Sequence, residues 1–227
     1  MTTGTHPETV PSTTPRRFHA SRYLGAAFAV VFLAGLVLIS LPPYVYGGTL
    51  ADWASGVDDE ARLNLLVGLS TIVFPVAGIL LMWSAAHLRT AIDHDRPRPS
   101  IPGQLAVLGA AVTSIGVVVA ASASAAAAHV VAPSADGGFP AVPEVAYGLE
   151  MFSSQVLNPS FFGLSLMVFA LSVGLRRVRR LPGWLAWAGC ILAPLLPVAW
   201  MLGMIPLLLA AVWVAIATAV VDTEPQG

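Results

Sequence analysis

The chain has 227 residues, of which 56% are hydrophobic and 10% are charged, and its mean hydropathy is +0.79. Soluble domains have about 25% charged residues, so this composition excludes an ordinary soluble domain and indicates a polytopic membrane protein. The net charge of −1 provides no basic surface for nucleic acid, and a single cysteine, Cys190, excludes an intrachain disulfide.

The N-terminal segment, residues 1–21, is polar and rich in Thr and Pro, which predicts a disordered cytoplasmic tail. An apolar run over 23–41 follows it. Arg16 and Arg17 before this run resemble a twin-arginine signal. The run is nevertheless too long for the core of a signal peptide and long enough to span a bilayer. We interpret it as an uncleaved first helix.

Five further apolar runs predict helices, because a membrane-spanning backbone must satisfy its polar groups internally. With the first run they form one transmembrane bundle over 22–221, followed by a short tail over 222–227. The five runs cover about 63–88, 105–131, 149–175, 184–199 and 202–221. The run over 184–199 is short and contains Pro194 and Pro197, which bend or break helices. Residues 184–221 therefore form either two spans or one span plus a re-entrant segment.

The arginines predict the orientation of the bundle. Ten of the eleven basic residues fall in the N-terminal tail and in the second and fourth connections: Arg16, Arg17, Arg22, Arg89, Arg96, Arg98, Arg176, Arg177, Arg179 and Arg180. Positive charge accumulates on the cytoplasmic side of membrane proteins. With six helices, both termini are then expected in the cytoplasm.

The fourth predicted helix carries a polar stripe. At about 100° per residue, five side chains fall within an arc of about 80°: Glu150, Ser154, Asn158, Ser165 and Ser172. Pro159 should kink the helix beside them. The stripe is either a binding site, with Ser154, Gln155 and Asn158 as candidate ligands, or a set of hydrogen bonds between helices. Glu150 is either a cap at the outer surface or, if it lies deeper, a functional residue.

The third predicted helix is filled with Gly, Ala and Ser, for example Ala120, Ser124 and Ala128 at spacings of four. Such faces allow helices to approach closely, within the bundle or in a homo- or hetero-oligomer. His129 lies at about the depth of Glu150. The two are candidates for a proton-sharing pair, since histidine titrates near neutrality; the alternative for His129 is an interfacial position.

The second predicted helix has a face with Gly and Pro, to which Asn64 adds a candidate binding residue. In the loop that follows, Asp93, His94 and Asp95 are close enough to hold a cation weakly, although a solvated loop is the simpler interpretation. No spacing typical of zinc ligands occurs. We therefore expect neither a metal nor a cofactor.

The sequence RRVRRLPGWLAWAGCILAPL near the end of the chain resembles uncharacterised multi-pass membrane proteins of actinobacteria. Those proteins carry a basic loop, an LPxWLxWxG segment and an apolar C-terminal helix with a tryptophan. Here the matching residues of the segment are Leu181, Pro182, Trp184, Leu185, Trp187 and Gly189, and Trp213 lies in the last helix. The resemblance implies an integral membrane protein of five or six helices and implies no activity.

Two functions fit these features. The first is a small transporter or transport-accessory protein of the plasma membrane, with a polar cavity lined by the third and fourth helices. The second is an integral membrane enzyme that acts on a lipophilic small molecule of isoprenoid or polyketide type. In the enzyme, Glu150 would be a general acid whose pKa is raised by burial, with His129 or Asn158 as its partner. A third possibility is a purely structural or immunity-type protein, and the sequence does not decide between the three.

Overall fold

The computed structural model describes residues 23–40, 68–94, 97–131 and 143–221, and every regular element in these ranges is helical. This confirms the predicted α-helical bundle. A π-helical segment, Leu69–Val73, leads into the second helix, and a 3₁₀ turn, Ala193–Leu195, follows the fifth. The helices are α1 (Leu24–Ser40), α2 (Phe74–Asp93), α3 (Ile101–Val131), α4 (Pro143–Arg177), α5 (Gly183–Leu192), α6 (Ala199–Leu202) and α7 (Ile205–Val220).

Three described helices are long and apolar enough to cross a membrane, namely those over Thr71–Asp93, Ile101–Ala127 and Glu144–Arg177. The other apolar helices are shorter and cover Leu24–Leu36, Gly183–Leu195 and Ile205–Val220.

Two helices extend beyond the apolar runs that predict them. The second continues to Asp93, past residue 88, and α4 begins at Pro143 instead of residue 149. Proline is favoured in the first turn of a helix, and Glu144 beside it complements the helix dipole. A hydrophobic run marks only the apolar part of a helix, so polar first and last turns lie outside it.

The connection between α2 and α3 is fixed by polar contacts. Asp93 pairs with Arg89 at 3.1 Å and accepts a hydrogen bond from the Ser100 backbone N–H at 2.9 Å. Ser100 caps α3, since its hydroxyl accepts the N–H of Gly103 at 3.1 Å. A Cβ at Gly103 would approach the Arg89 side chain and the Asp93 carboxylate to 3.0–3.1 Å. These contacts hold α2 and α3 as an antiparallel pair.

Helices α3 and α4 form the central antiparallel pair of the described bundle. They are close because glycines face each other. A Cβ at Gly163 would lie 2.7 Å from the Gly109 carbonyl oxygen, and one at Gly116 would collide with the Ser160 hydroxyl. Larger residues of α2 and α4, including Leu88, Met167 and Leu171, fill the core on either side of this contact.

Helix α1 packs antiparallel to both α2 and α7. Gly35 of α1 lies against Phe74 at the start of α2, whereas Gly25 lies against Thr218 near the end of α7. The start of α1, the end of α2 and the end of α7 are therefore at one end of the bundle. We call it the arginine end, because six described arginines lie there: Arg89, Arg98, Arg176, Arg177, Arg179 and Arg180.

The chain over 183–220 forms a short helical hairpin. Helix α5 ends at Leu192, before Pro194 and Pro197, and is shorter than the apolar run over 184–199, because the two prolines remove backbone donors. Gly203, at φ 73°, provides a turn before α7 that residues with a Cβ rarely adopt. The indole N–H of Trp213 donates to the Leu185 carbonyl at 2.9 Å and ties the two arms together.

Candidate functional site

The part of the α4 polar stripe nearer the arginine end packs against α5 and the 3₁₀ turn that follows it. The hydroxyl of Ser165 donates to the carbonyl of Ala193 at 2.7 Å. Ser172 is buried and bonds the Val168 carbonyl at 2.7 Å, and a Cβ at Gly189 of α5 would collide with its hydroxyl. In this half of the stripe, the polar side chains serve helix packing.

The other half of the stripe lies nearer the start of α4. Glu150, Ser154 and Asn158 are half-buried, and Gln155 is exposed. The Ser154 hydroxyl donates to the Met151 carbonyl at 2.8 Å, a bond within its own helix. The structure thus brings Glu150, Ser154 and Asn158 onto one partly accessible face, which we call the upper polar face.

Glu150 is the eighth residue of α4, and the carboxylate in the first turn is Glu144. The interpretation of Glu150 as a helix cap is therefore wrong. Glu150 also makes an interaction within the protein. Its place in the third turn of the helix puts its side chain beside Ser154, one turn further along the same face.

Several buried hydroxyl groups that the sequence pattern did not identify as site residues form hydrogen bonds between helices. The Thr113 hydroxyl has one proton for two acceptors, the Gly109 carbonyl of its own helix at 2.9 Å and the Ser160 carbonyl of α4 at 3.1 Å. Ser114 donates to the Gly78 carbonyl of α2 at 2.9 Å. The signal available in the sequence was the position of these hydroxyls among Gly and Ala, where backbones approach closely.

One more hydroxyl contact joins α3 and α4 at the end of the bundle away from the arginines. Ser124 donates to Ser153 at 2.9 Å. Helix α4 continues through Pro159, and the Ser160 hydroxyl bonds the Val156 carbonyl at 2.7 Å.

The small face of α3 that carries Gly109 and Gly116 is occupied by α4 of the same chain. Oligomerisation through α3, which stays a prediction, would use another face.

A cavity of about 20 Å³ lies between the first four helices, enough for roughly one water molecule. Its wall is mostly apolar, with Phe28, Phe32 and Phe161 among the lining residues. The Thr113 and Ser114 hydroxyls at its edge are already bonded to carbonyls. None of the residues of the upper polar face lines it, so the two features are separate.

Two of the predicted site residues, His129 and Asn64, have no described side chain. Asn64 lies outside the described residues, and for His129 only the helical backbone is described. Position 129 is five residues past Ser124, a rotation of about 140° around α3. It therefore lies on a different face of α3 from the Ser124–Ser153 contact. The pairing of His129 with Glu150 stays a prediction.

Asp93, the last residue of α2, has a structural role. Its carboxylate already binds Arg89 and the Ser100 N–H. Within the described ranges, no group of three or more His, Cys, Asp and Glu residues is placed to hold a metal ion. Asp95 lies outside those ranges.

Comparisons with protein-family models, with curated proteins and with solved structures found no match to this chain.

Proposed function

We propose that the protein is a multi-pass protein of the plasma membrane, with the arginine end of the bundle in the cytoplasm. Three helices of sufficient length and apolarity support membrane insertion. The orientation is supported by the six described arginines at one end, because cytoplasmic ends are enriched in Arg and Lys. Both termini would then be cytoplasmic, since α1 begins and α7 ends at that end.

In this orientation the α5–α7 hairpin enters from the cytoplasmic side. Ser165, which bonds Ala193 near the hairpin tip, lies 11 residues before Arg176, or about 16 Å along α4. The hydrocarbon core is about 30 Å thick. The end of α5 is therefore near the middle of the bilayer, and the remaining tip, over 193–204, extends into its outer half.

The upper polar face is then at the outer membrane surface. Asn158 lies 18 residues before Arg176, about 27 Å along α4, and Glu150 lies 26 residues before it, about 39 Å. Asn158 is thus near the outer edge of the hydrocarbon, and Glu150 is among the headgroups. Polar side chains at this depth are accessible from water without being buried in lipid.

We infer that the protein is a transport-accessory protein that binds a polar solute at the upper polar face. The observation that supports this function is the division of the stripe: Ser172 is buried against α5 and Ser165 bonds the hairpin at Ala193, whereas Glu150, Ser154 and Asn158 lie nearer the start of α4 and are partly accessible. The cavity between the first four helices is too small for a solute. This cavity is therefore not the proposed binding site.

The test compares cells of the source organism that carry the intact gene, a deletion, or the variants Glu150→Gln and Asn158→Leu. Mass spectrometry of cells and medium measures the distribution of small solutes. The deletion and both variants should shift the same solute between cells and medium, with no new mass appearing. Ser122→Ala, on the exposed face of α3, is the matched control and should behave like the intact gene.

Other results would contradict the proposal. A substrate that accumulates while a product of different mass disappears would indicate an enzyme. Normal solute distribution in both variants, with a clear effect of the deletion, would remove the upper polar face from the function.

A further inference from the structure

The arginines at the end of α4 are arranged around an unusual turn. The Arg180 N–H donates to the Leu175 carbonyl at 3.0 Å, and the Arg179 N–H donates to the Arg176 carbonyl at 3.1 Å. This is a Schellman motif, in which glycine is the usual residue at the left-handed position. Here Arg179 occupies that position, with φ 55°. An arginine thus occupies a position where glycine would relieve the backbone.

Two tryptophans of α5 lie next to this turn. Trp184 and Trp187 are three residues apart, so they share a helix face, and they are 65% and 56% exposed. The Arg176 guanidinium lies over the Trp187 ring, 4.8 Å from its centroid. Stacking on one face of the guanidinium restrains it and leaves its N–H edges free to bind oxygen atoms.

The cluster lies in a long stretch of sequence without acidic residues. Between Glu150 and Asp222 there are four arginines and no Asp or Glu. The ion pair described at this end joins Arg89 to Asp93 and involves none of the arginines of the cluster. Arg180 makes a further interaction within the protein, so we leave it out of the site. Arg176, Arg177 and Arg179 are all exposed.

We propose that Arg176, Arg177 and Arg179, with Trp184 and Trp187, bind the phosphate of an anionic phospholipid headgroup on the cytoplasmic side. Arginine binds phosphate oxygens bidentately, and exposed tryptophans are typical of the headgroup level. The inference rests on the proposed membrane location. That location is tested separately, by resistance of the protein to carbonate extraction from membranes.

Native mass spectrometry of the full chain in a nonionic detergent tests the site. The protein is titrated with dioleoylphosphatidylglycerol and, separately, with dioleoylphosphatidylcholine, so that only the headgroup differs. We expect preferential binding of phosphatidylglycerol, weakened about fivefold by Arg176→Gln and by Arg179→Gly. Arg98→Gln removes one exposed charge at the same end of the bundle and should leave binding unchanged.

Arg179→Gly separates binding from folding. Glycine relieves the left-handed position, so this variant should unfold at the same or a higher temperature while it binds the anionic lipid less tightly. Three results would overturn the site: equal binding of both lipids, an equal loss in Arg98→Gln, or unchanged binding in Arg176→Gln and Arg179→Gly. Displacement of the lipid by millimolar inorganic phosphate would instead indicate a site for free phosphate and also overturn the proposal.

Discussion

Ser165 on α4 donates a 2.7 Å hydrogen bond to the carbonyl of Ala193, 28 residues later in the chain. In a continuous helix this carbonyl would accept a hydrogen bond from the N–H of residue 197. Residue 197 is a proline and has no N–H. The Leu196 N–H reaches it only at 3.3 Å, in a 3₁₀ turn. A side chain of α4 thus adds a second donor to a carbonyl that Pro197 cannot bond.

Ser165→Ala should therefore loosen the hairpin. The hydrogen bond joins two helices, and such bonds contribute on average about 0.6 kcal/mol in membrane bundles, at most about 1.7. We expect a loss of stability in this range, measured by thermal unfolding in detergent. Ser122→Ala is the control, because the Ser122 hydroxyl bonds the Val118 carbonyl of its own helix on an exposed face. An equal loss in both variants would show that the Ala193 contact contributes nothing specific.

A second prediction compares two glycines of α4. In Gly163→Ala the new Cβ would lie 2.7 Å from both the Gly109 carbonyl oxygen and the Thr113 hydroxyl. Since one of these atoms is backbone, α3 and α4 must move apart, at a cost of about 1–3 kcal/mol. In Gly148→Ala the new Cβ meets nothing within 4 Å, and alanine should stabilise the helix by up to about 1 kcal/mol. Opposite shifts in unfolding temperature are expected.

These two examples show what the sequence can and cannot predict. Apolar runs predict helices because of the requirement for internal hydrogen bonds, but the run over 184–199 continues past the end of α5 at Leu192. The partners of Gly163 and Ser165 depend on which helices are neighbours in space. Periodicity gives a face of a helix but not what covers it. The polar stripe was thus visible in the sequence, whereas its division by the hairpin was not.

The pairing of Asp93 gives a third prediction. Asp93→Ala removes the partner of Arg89 and the acceptor of the Ser100 N–H. The cost should resemble that of losing a helix cap, about 0.5–2 kcal/mol. His94→Ala, at an exposed neighbouring position, should have little effect. Addition of millimolar Ca²⁺ or Mg²⁺ should not change the unfolding temperature of the unmodified protein. A stabilisation by either ion that disappears in Asp93→Ala would instead indicate a cation site in this loop.

The depth of the upper polar face leads to a fourth prediction. Cys190 is the only cysteine, so Cys190→Ala provides a background in which single cysteines can be placed along one face of α4. We choose Glu150→Cys, Asn158→Cys and Ser172→Cys, which differ in depth but lie within about 80° around the helix. In intact cells, each is exposed to a maleimide that cannot cross the membrane.

Glu150→Cys should react fastest, because its position lies among the outer headgroups, and Asn158→Cys should react more slowly at the edge of the hydrocarbon. Ser172→Cys should not react, since residue 172 is buried against Gly189 of α5. Reaction of Ser172→Cys after denaturation shows that the thiol is present. If Glu150→Cys reacts only in inverted membrane vesicles, the orientation is reversed. If Asn158→Cys is as unreactive as Ser172→Cys in both preparations, the upper polar face is closed and cannot bind a solute from outside.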